Sequence, residues 1–229
     1  CRARQGLISS HLPAFLVFRA RYCRKAENAM LMPTPLINVM NNAARKASRL
    51  LMRDFGEVEQ LQVSRKGPGD FVSEADKRTE EILHEELHKA RPGFGFLMEE
   101  GGTIGGENAN ERWIIDPIDG TTNFLHGIPH FSISIAVERD KELVAGMVYE
   151  PVRDEVFWAE RNEGAYLNRQ RLRVSGRSDM RDALLATGIP FGNRPGKKAF
   201  SAMLNVVMNR TAGVLSLIHI SEPTRLSTI

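Results

Sequence analysis

The spacing of hydrophobic positions changes along the chain and separates a helical part from a strand-rich part. Leu36, Met40, Ala43, Ala44, Ala47, Leu50 and Leu51 recur at three- and four-residue spacing, which predicts an amphipathic helix over 35–55. Residues 62–72 contain Lys66-Gly-Pro-Gly-Asp70 and read as a loop from their turn residues. A second helix is predicted from about Ser73 to Lys89. Ser73 suits its N-cap, Glu74 and Asp76 suit the positive end of its dipole, and Ile82, Leu83 and Leu87 form its buried stripe. Phe94–Met98 and Trp113–Ile115 then read as short strands, each ending in acids, and residues 131–137 alternate as a half-buried strand does. Strands over Leu143–Tyr149, Val156–Ala159, Ala165–Leu167 and Leu172–Val174 follow with short turns between them, which predicts antiparallel neighbours. Ala183–Thr187 reads as a further strand and Lys198–Asn209 as a helix. Two helices followed by a meander predict an α+β layered domain, with no internal repeat.

The 229 residues are 42% hydrophobic and 26% charged, a composition able to bury a sizeable core. No apolar run approaches the roughly 20 residues needed to span a bilayer, so no membrane association is expected. The formal net charge of +3 could suggest a nucleic-acid partner, but the first 31 residues hold six basic residues against Glu27 alone. The remainder up to Val214 is slightly acidic, which argues against direct nucleic-acid contact. Both cysteines, Cys1 and Cys23, lie in the same basic leader. The body therefore has no disulfide framework, zinc cluster or cysteine nucleophile, which suits a cytoplasmic location.

The two ends differ from the middle. Residues 1–31 show no clean periodicity and are expected to be a non-native leader, with the true start at Met30 or Met32. Residues 215–229 begin with Leu215-Ser-Leu-Ile-His-Ile-Ser-Glu-Pro-Thr-Arg225, which matches codon for codon the translation of a transposon end used in sequencing libraries. They are expected to be foreign, leaving 32–214 as the domain proper.

Three acidic groups carry candidate chemistry: Asp76 at the start of the second helix, Glu99-Glu100-Gly101-Gly102 at a strand end, and Asp116-Pro-Ile-Asp119 after the next strand. Pro117 fixes φ and bends the chain, so that two carboxylates three residues apart, with the Ile118 carbonyl between them, can converge on one point. Magnesium takes about six oxygens near 2.1 Å, and such hard ligands suit it. Gly120-Thr121-Thr122-Asn123 then opens a helical turn whose backbone N–H groups suit phosphate, with Gly120 permitting close approach. Metal ligands beside an anion cradle are the arrangement for metal-assisted phosphoryl transfer to water. Taken singly each element is ordinary. Asp-x-x-Asp is usually a solvated turn, Asp76 a first-turn acid and Lys66 a surface lysine, while His126 and His130 read as packing or loop residues.

The whole string Trp113-Ile-Ile-Asp-Pro-Ile-Asp-Gly-Thr-Thr-Asn-Phe124, with Glu99-Glu100 before it and Lys66 to Asp76 further upstream, resembles the inositol monophosphatase family over about 32–214. The resemblance implies a layered αβαβα sandwich and an inositol-phosphate phosphatase using two or three magnesium ions. Glu99, Asp116, Asp119 and the Ile118 carbonyl would hold metal, and Gly120 and Thr121 would receive substrate phosphate through backbone N–H groups. Thr121, hydrogen-bonded to Asp76, would orient the attacking water together with Glu99, and Lys66 would lie on a loop closing over the phosphate. Lithium sensitivity and a homodimer are implied as well. Thr121-Thr122-Asn123-Phe124 favours the monophosphatase branch over relatives acting on phosphoadenosine nucleotides or fructose bisphosphate.

The family's second signature, Trp-Asp followed by small residues, has no match in this sequence. It supplies a further metal-binding Asp and stands beside the residues that contact the inositol ring. Poor activity or inactivity is therefore expected of the chain as written. The substrate expected of the intact protein is a small phosphomonoester, either inositol monophosphate or an alternative such as histidinol phosphate. A binding role at the transcription machinery is the competing expectation from a different class.

Overall fold

The computed structural model describes residues 33–61, 68–108, 110–190 and 196–216. It divides into two compact units, which among these residues are 33–173 and 174–216. The leader over 1–31 and the tail from 217 onward lie outside the described residues.

The larger unit opens with two long helices, α1 (Pro35–Leu61) and α2 (Pro68–Ala90). Thr34 caps α1. Its hydroxyl oxygen accepts from the Ile37 amide at 3.3 Å, and Pro35 needs no donor at the first helical position. Ile37, Met40, Ala43, Ala44, Ala47, Leu51 and Val58 form one fully buried stripe, so the apolar period holds beyond residue 55, where the sequence reading stopped. The α2 helix starts five residues before Ser73, so the loop reading fails at 68–72. Pro68, with its fixed φ and missing N–H, is as suited to opening a helix as to a turn. Ala75, Thr79, Leu83 and Leu87 form the buried face of α2.

An eight-stranded sheet follows, made of β1 (Gly95–Met98), β2 (Gly102–Ile104), β3 (Glu111–Asp119), β4 (Ser132–Arg139), β5 (Glu142–Glu150), β6 (Glu155–Glu160), β7 (Gly164–Leu167) and β8 (Gln170–Arg171). Their order is β2-β1-β3-β4-β5-β6-β7-β8. The run from β3 onward is the expected antiparallel meander, but β1 pairs with β3 in parallel. The strand expected over Leu172–Val174 is absent, and the last pairing is made by Gln170 and Arg171 instead.

Register aligns one apolar row across the sheet. Phe96 lies opposite Trp113, which lies opposite Val137 and then Ala145; Met98, Ile115, Ile135, Met147 and Trp158 form the next row. These residues are buried in one core cluster with the α1 and α2 stripes. At about 25 cal/mol per Å² of apolar area, this helix-on-sheet interface is the main source of stability. Together these elements form an α+β layered fold.

The smaller unit holds a short 3₁₀ turn (Met180–Asp182), β9 (Leu184–Thr187), α4 (Lys197–Met208) and β10 (Gly213–Ser216). The two strands pair in parallel, Leu184 opposite Gly213 and Thr187 opposite Ser216, which makes β9-α4-β10 a crossover unit. Leu215 and Ser216, the first two residues of the expected foreign tail, complete β10.

Candidate metal and phosphate site

The parallel pairing of β1 and β3 sets the site. Met98 lies opposite Ile115, so the next residues, Glu99 just past the end of β1 and Asp116 within β3, stand side by side at the same end of the sheet. The Asp116 carboxyl is pushed well above the usual carboxylate range, first by burial and then by the negative charges of Glu99 and Asp119. Its Oδ1 is buried with no hydrogen-bond donor. Asp119 follows a break in register. β3 continues through Pro117 to Asp119, opposite Ser132, with an irregularity between Asp116 and Asp119. The bend anticipated after the strand is therefore a bulge inside it, where a residue lacking N–H and a ladder partner is tolerated.

The next residue, Gly120, has φ 98°, in the left-handed region. A Cβ there would come within 3.1 Å of the His130 carbonyl oxygen and 3.2 Å of the Phe131 Cα, so this position requires glycine on two counts. From it springs α3 (Thr121–Leu125), closed by the Phe124 amide donating to the Gly120 carbonyl at 3.0 Å. The first-turn amides of any helix lack intrahelical acceptors, which suits them to an anion. Below, α3 is fixed by packing. Phe124 and Phe131 are fully buried at 5.0 Å between ring centroids, with Phe55 against both. Asn123 Nδ2 also donates to the His130 carbonyl at 2.8 Å.

α2 supplies the third wall. Asp76 is 7% exposed, and its carboxyl is raised to about 7 by burial first and then by Glu100, Glu99 and Glu80. The Thr121 hydroxyl donates to the Ile118 carbonyl at 2.9 Å and not, as the resemblance implied, to Asp76, because the first turn of α3 folds the side chain back three residues. The Ile118 carbonyl keeps a second lone pair. The Lys66 position lies outside the described residues.

The donors present are hard oxygens with crowded negative charge and one orphaned buried acceptor, and all of this suits a divalent cation. Among the described residues, no three His, Cys, Asp or Glu side chains stand close enough together to hold a metal ion as they are. Glu99 and Asp119 both act on the Asp116 carboxyl through their charge, and Glu99 also hydrogen-bonds to it.

Compared with known proteins, residues 32–220 match the sequence profile described as the inositol monophosphatase family. The chain belongs to the inositol monophosphatase family. A protein of Mesorhizobium japonicum named inositol-1-monophosphatase is 54% identical over 182 residues, which cover 80% of this chain and 68% of that one. The Nus factor SuhB of Haemophilus influenzae is 39% identical over 178 residues, covering 78% of this chain and 67% of that protein. The crystal structure of extragenic suppressor protein suhB from Bartonella henselae superposes with a TM-score of 0.73 at 50% identity, covering 81% of this chain and 71% of that one.

Inositol monophosphatases are phosphatases and generally depend on a metal, so a phosphate ester is the class of substrate this membership implies. Among the described residues, no helix is long and apolar enough to cross a membrane. The reading of the sequence missed Glu80 at this site. It is 5% exposed and accepts the amides of Glu100 and Gly101 at 3.0 and 2.8 Å. One signal was available, since Glu80 lies four residues after Asp76 and hence on the same helix face.

Proposed function

We propose that this is the catalytic part of a magnesium-dependent phosphomonoesterase acting on inositol monophosphate or a closely related small phosphate ester. The observation that carries the reading is the parallel β1/β3 register, which sets Glu99 beside Asp116 directly ahead of Asp119 and the first turn of α3. Glu99, Asp116, Asp119 and the Ile118 carbonyl would hold magnesium, which supplies Lewis-acid stabilisation of charge on phosphate oxygens. The N–H groups of Gly120 and Thr121 receive the substrate phosphate, with Lys66 contributing from the segment before α2. Glu99, Asp76 and Thr121 orient the attacking water, Thr121 acting through the Ile118 carbonyl to which it is bonded. The water oxygen attacks phosphorus in line, the ester P–O bond breaks, and the alcohol leaves with a proton. The family resemblance brings with it lithium sensitivity, a cytoplasmic location and a homodimer as parts of the same reading.

The chain spans about two thirds of its relatives' length, and residues beyond that span complete the substrate pocket under this reading. The test is phosphate release from inositol 1-phosphate, with histidinol phosphate in parallel, using the chain extended to the relatives' length. Asp119→Asn should lower magnesium-dependent hydrolysis by at least about 100-fold. Unchanged hydrolysis in that variant would remove Asp119 from the mechanism.

The relatives named Nus factor SuhB support a second reading, a binding role of the Nus-factor kind. Asp119→Asn separates the two, since surface binding would survive it and hydrolysis would not.

A further inference from the structure

The turn that carries Glu99 has little packing to hold it. Glu99 to Gly105 are all exposed, and β2 pairs with β1 through three residues only. What reaches the turn from the core is Glu80. This buried side chain on α2, one turn beyond Asp76, takes the Gly101 amide on Oε1 at 2.8 Å and the Glu100 amide on Oε2 at 3.0 Å. Both oxygens of one carboxylate are thus engaged on the two amides that directly follow Glu99. The approach is close. A Cβ on Gly101 would stand 3.1 Å from Glu80 Oε1 and 2.7 Å from Met98 Cε, so a side chain there would push on the ends of both. A carboxylate is also the side chain that can accept both amides, because a glutamine has one acceptor oxygen and would turn its NH₂ toward the second donor.

We propose that Glu80 is a positioning residue, whose two-point clamp on the Glu100 and Gly101 amides holds Glu99 beside Asp116 and so sets the divalent-metal affinity of the site without touching the metal. The proposal rests on the reading of Glu99 as a ligand. Outer groups that orient metal ligands typically change affinity by about 10- to 100-fold when altered.

The test combines two readouts on the full chain. Amide hydrogen exchange by NMR reports the clamp, and Mn²⁺ titration followed by electron paramagnetic resonance reports the metal. Glu80→Gln should leave at least one of the Glu100 and Gly101 amides unprotected and weaken Mn²⁺ binding by about tenfold or more. Gly101→Ala should do the same by crowding Oε1, and it carries the comparison if Glu80→Gln does not fold. In a Glu99→Gln background, Glu80→Gln should cause no further loss of affinity, because it acts through Glu99. Leu87→Ala, which loosens the same helix through the core, should leave Mn²⁺ affinity within about twofold.

The proposal is overturned if the two amides keep their protection in Glu80→Gln. It is overturned equally if Glu80→Gln leaves affinity unchanged while Glu99→Gln weakens it, or if Leu87→Ala weakens it as much. Loss of amide protection together with unchanged affinity in Glu99→Gln would instead show that the ligand reading of Glu99 fails, and the proposal with it.

Discussion

Replacing Asp76 by Asn should stabilise the metal-free protein, and by an amount that depends on pH. The Asp76 carboxyl is raised from 3.8 to about 7 by burial and by three acidic neighbours. A carboxyl raised on folding holds its proton more tightly in the folded than in the unfolded chain, so stability falls as pH climbs from the unfolded to the folded value. Below about pH 4 wild type and Asp76→Asn should differ little. Across the interval from 3.8 to about 7 the gap opens, and above it the gap is constant. At about 1.4 kcal/mol for each pH unit, the upper bound is about 4 kcal/mol. Glu99 and Glu100 are exposed and their repulsion is screened by solvent, which lowers the expectation to about 1–3 kcal/mol. Urea unfolding at pH 5 and pH 8 in a chelating buffer measures it. A gap that stays constant, or narrows as pH rises, would refute the reasoning. Adding magnesium should shrink the pH dependence of the wild type, because a bound cation offsets the same repulsion.

Two further outcomes follow from other parts of the structure. Asp54, 2% exposed, accepts Arg78 Nη2 at 2.8 Å and joins α1 to α2; Asp54→Ala should cost about 1–3 kcal/mol in urea unfolding, below the cost for a fully buried pair because Arg78 reaches solvent. Gly120→Ala should cost about 1–2 kcal/mol for a side chain at φ 98°, and should weaken binding of inorganic phosphate measured by calorimetry, since its Cβ would press on the His130 carbonyl.

The sequence carried most of the helix-on-sheet layer because burial there follows a simple period. The α1 stripe from Ile37 to Val58 and the alternation through Ile133, Ile135 and Val137 are direct records of which face is covered. Boundaries set by backbone chemistry were less legible. Pro68 opens α2 although it sits among loop residues, and Pro117 lies in a bulge of β3 although it reads as a strand stop. The acids of the site could be picked out from residue type and spacing, but what brings Glu99 to Asp116 is a parallel pairing between strands seventeen residues apart in register, which residue spacing along the chain does not specify. Glu80 escaped notice because a glutamate inside a helix looks like a solvated face until its two backbone partners are seen. The hydroxyl of Thr121 was assigned to Asp76 by resemblance, whereas the tight first turn of α3 gives it a nearer acceptor in Ile118.

Glu99, Asp116 and Asp119 are proposed to form one divalent-cation site. The most direct measurement is the shift in unfolding temperature on adding magnesium at pH 8, compared between wild type and Glu99→Gln, Asp116→Asn and Asp119→Asn. A saturable rise is expected in the wild type, reduced or abolished by each substitution. A rise of the same size and midpoint in all four proteins would contradict it, since magnesium would then be binding elsewhere.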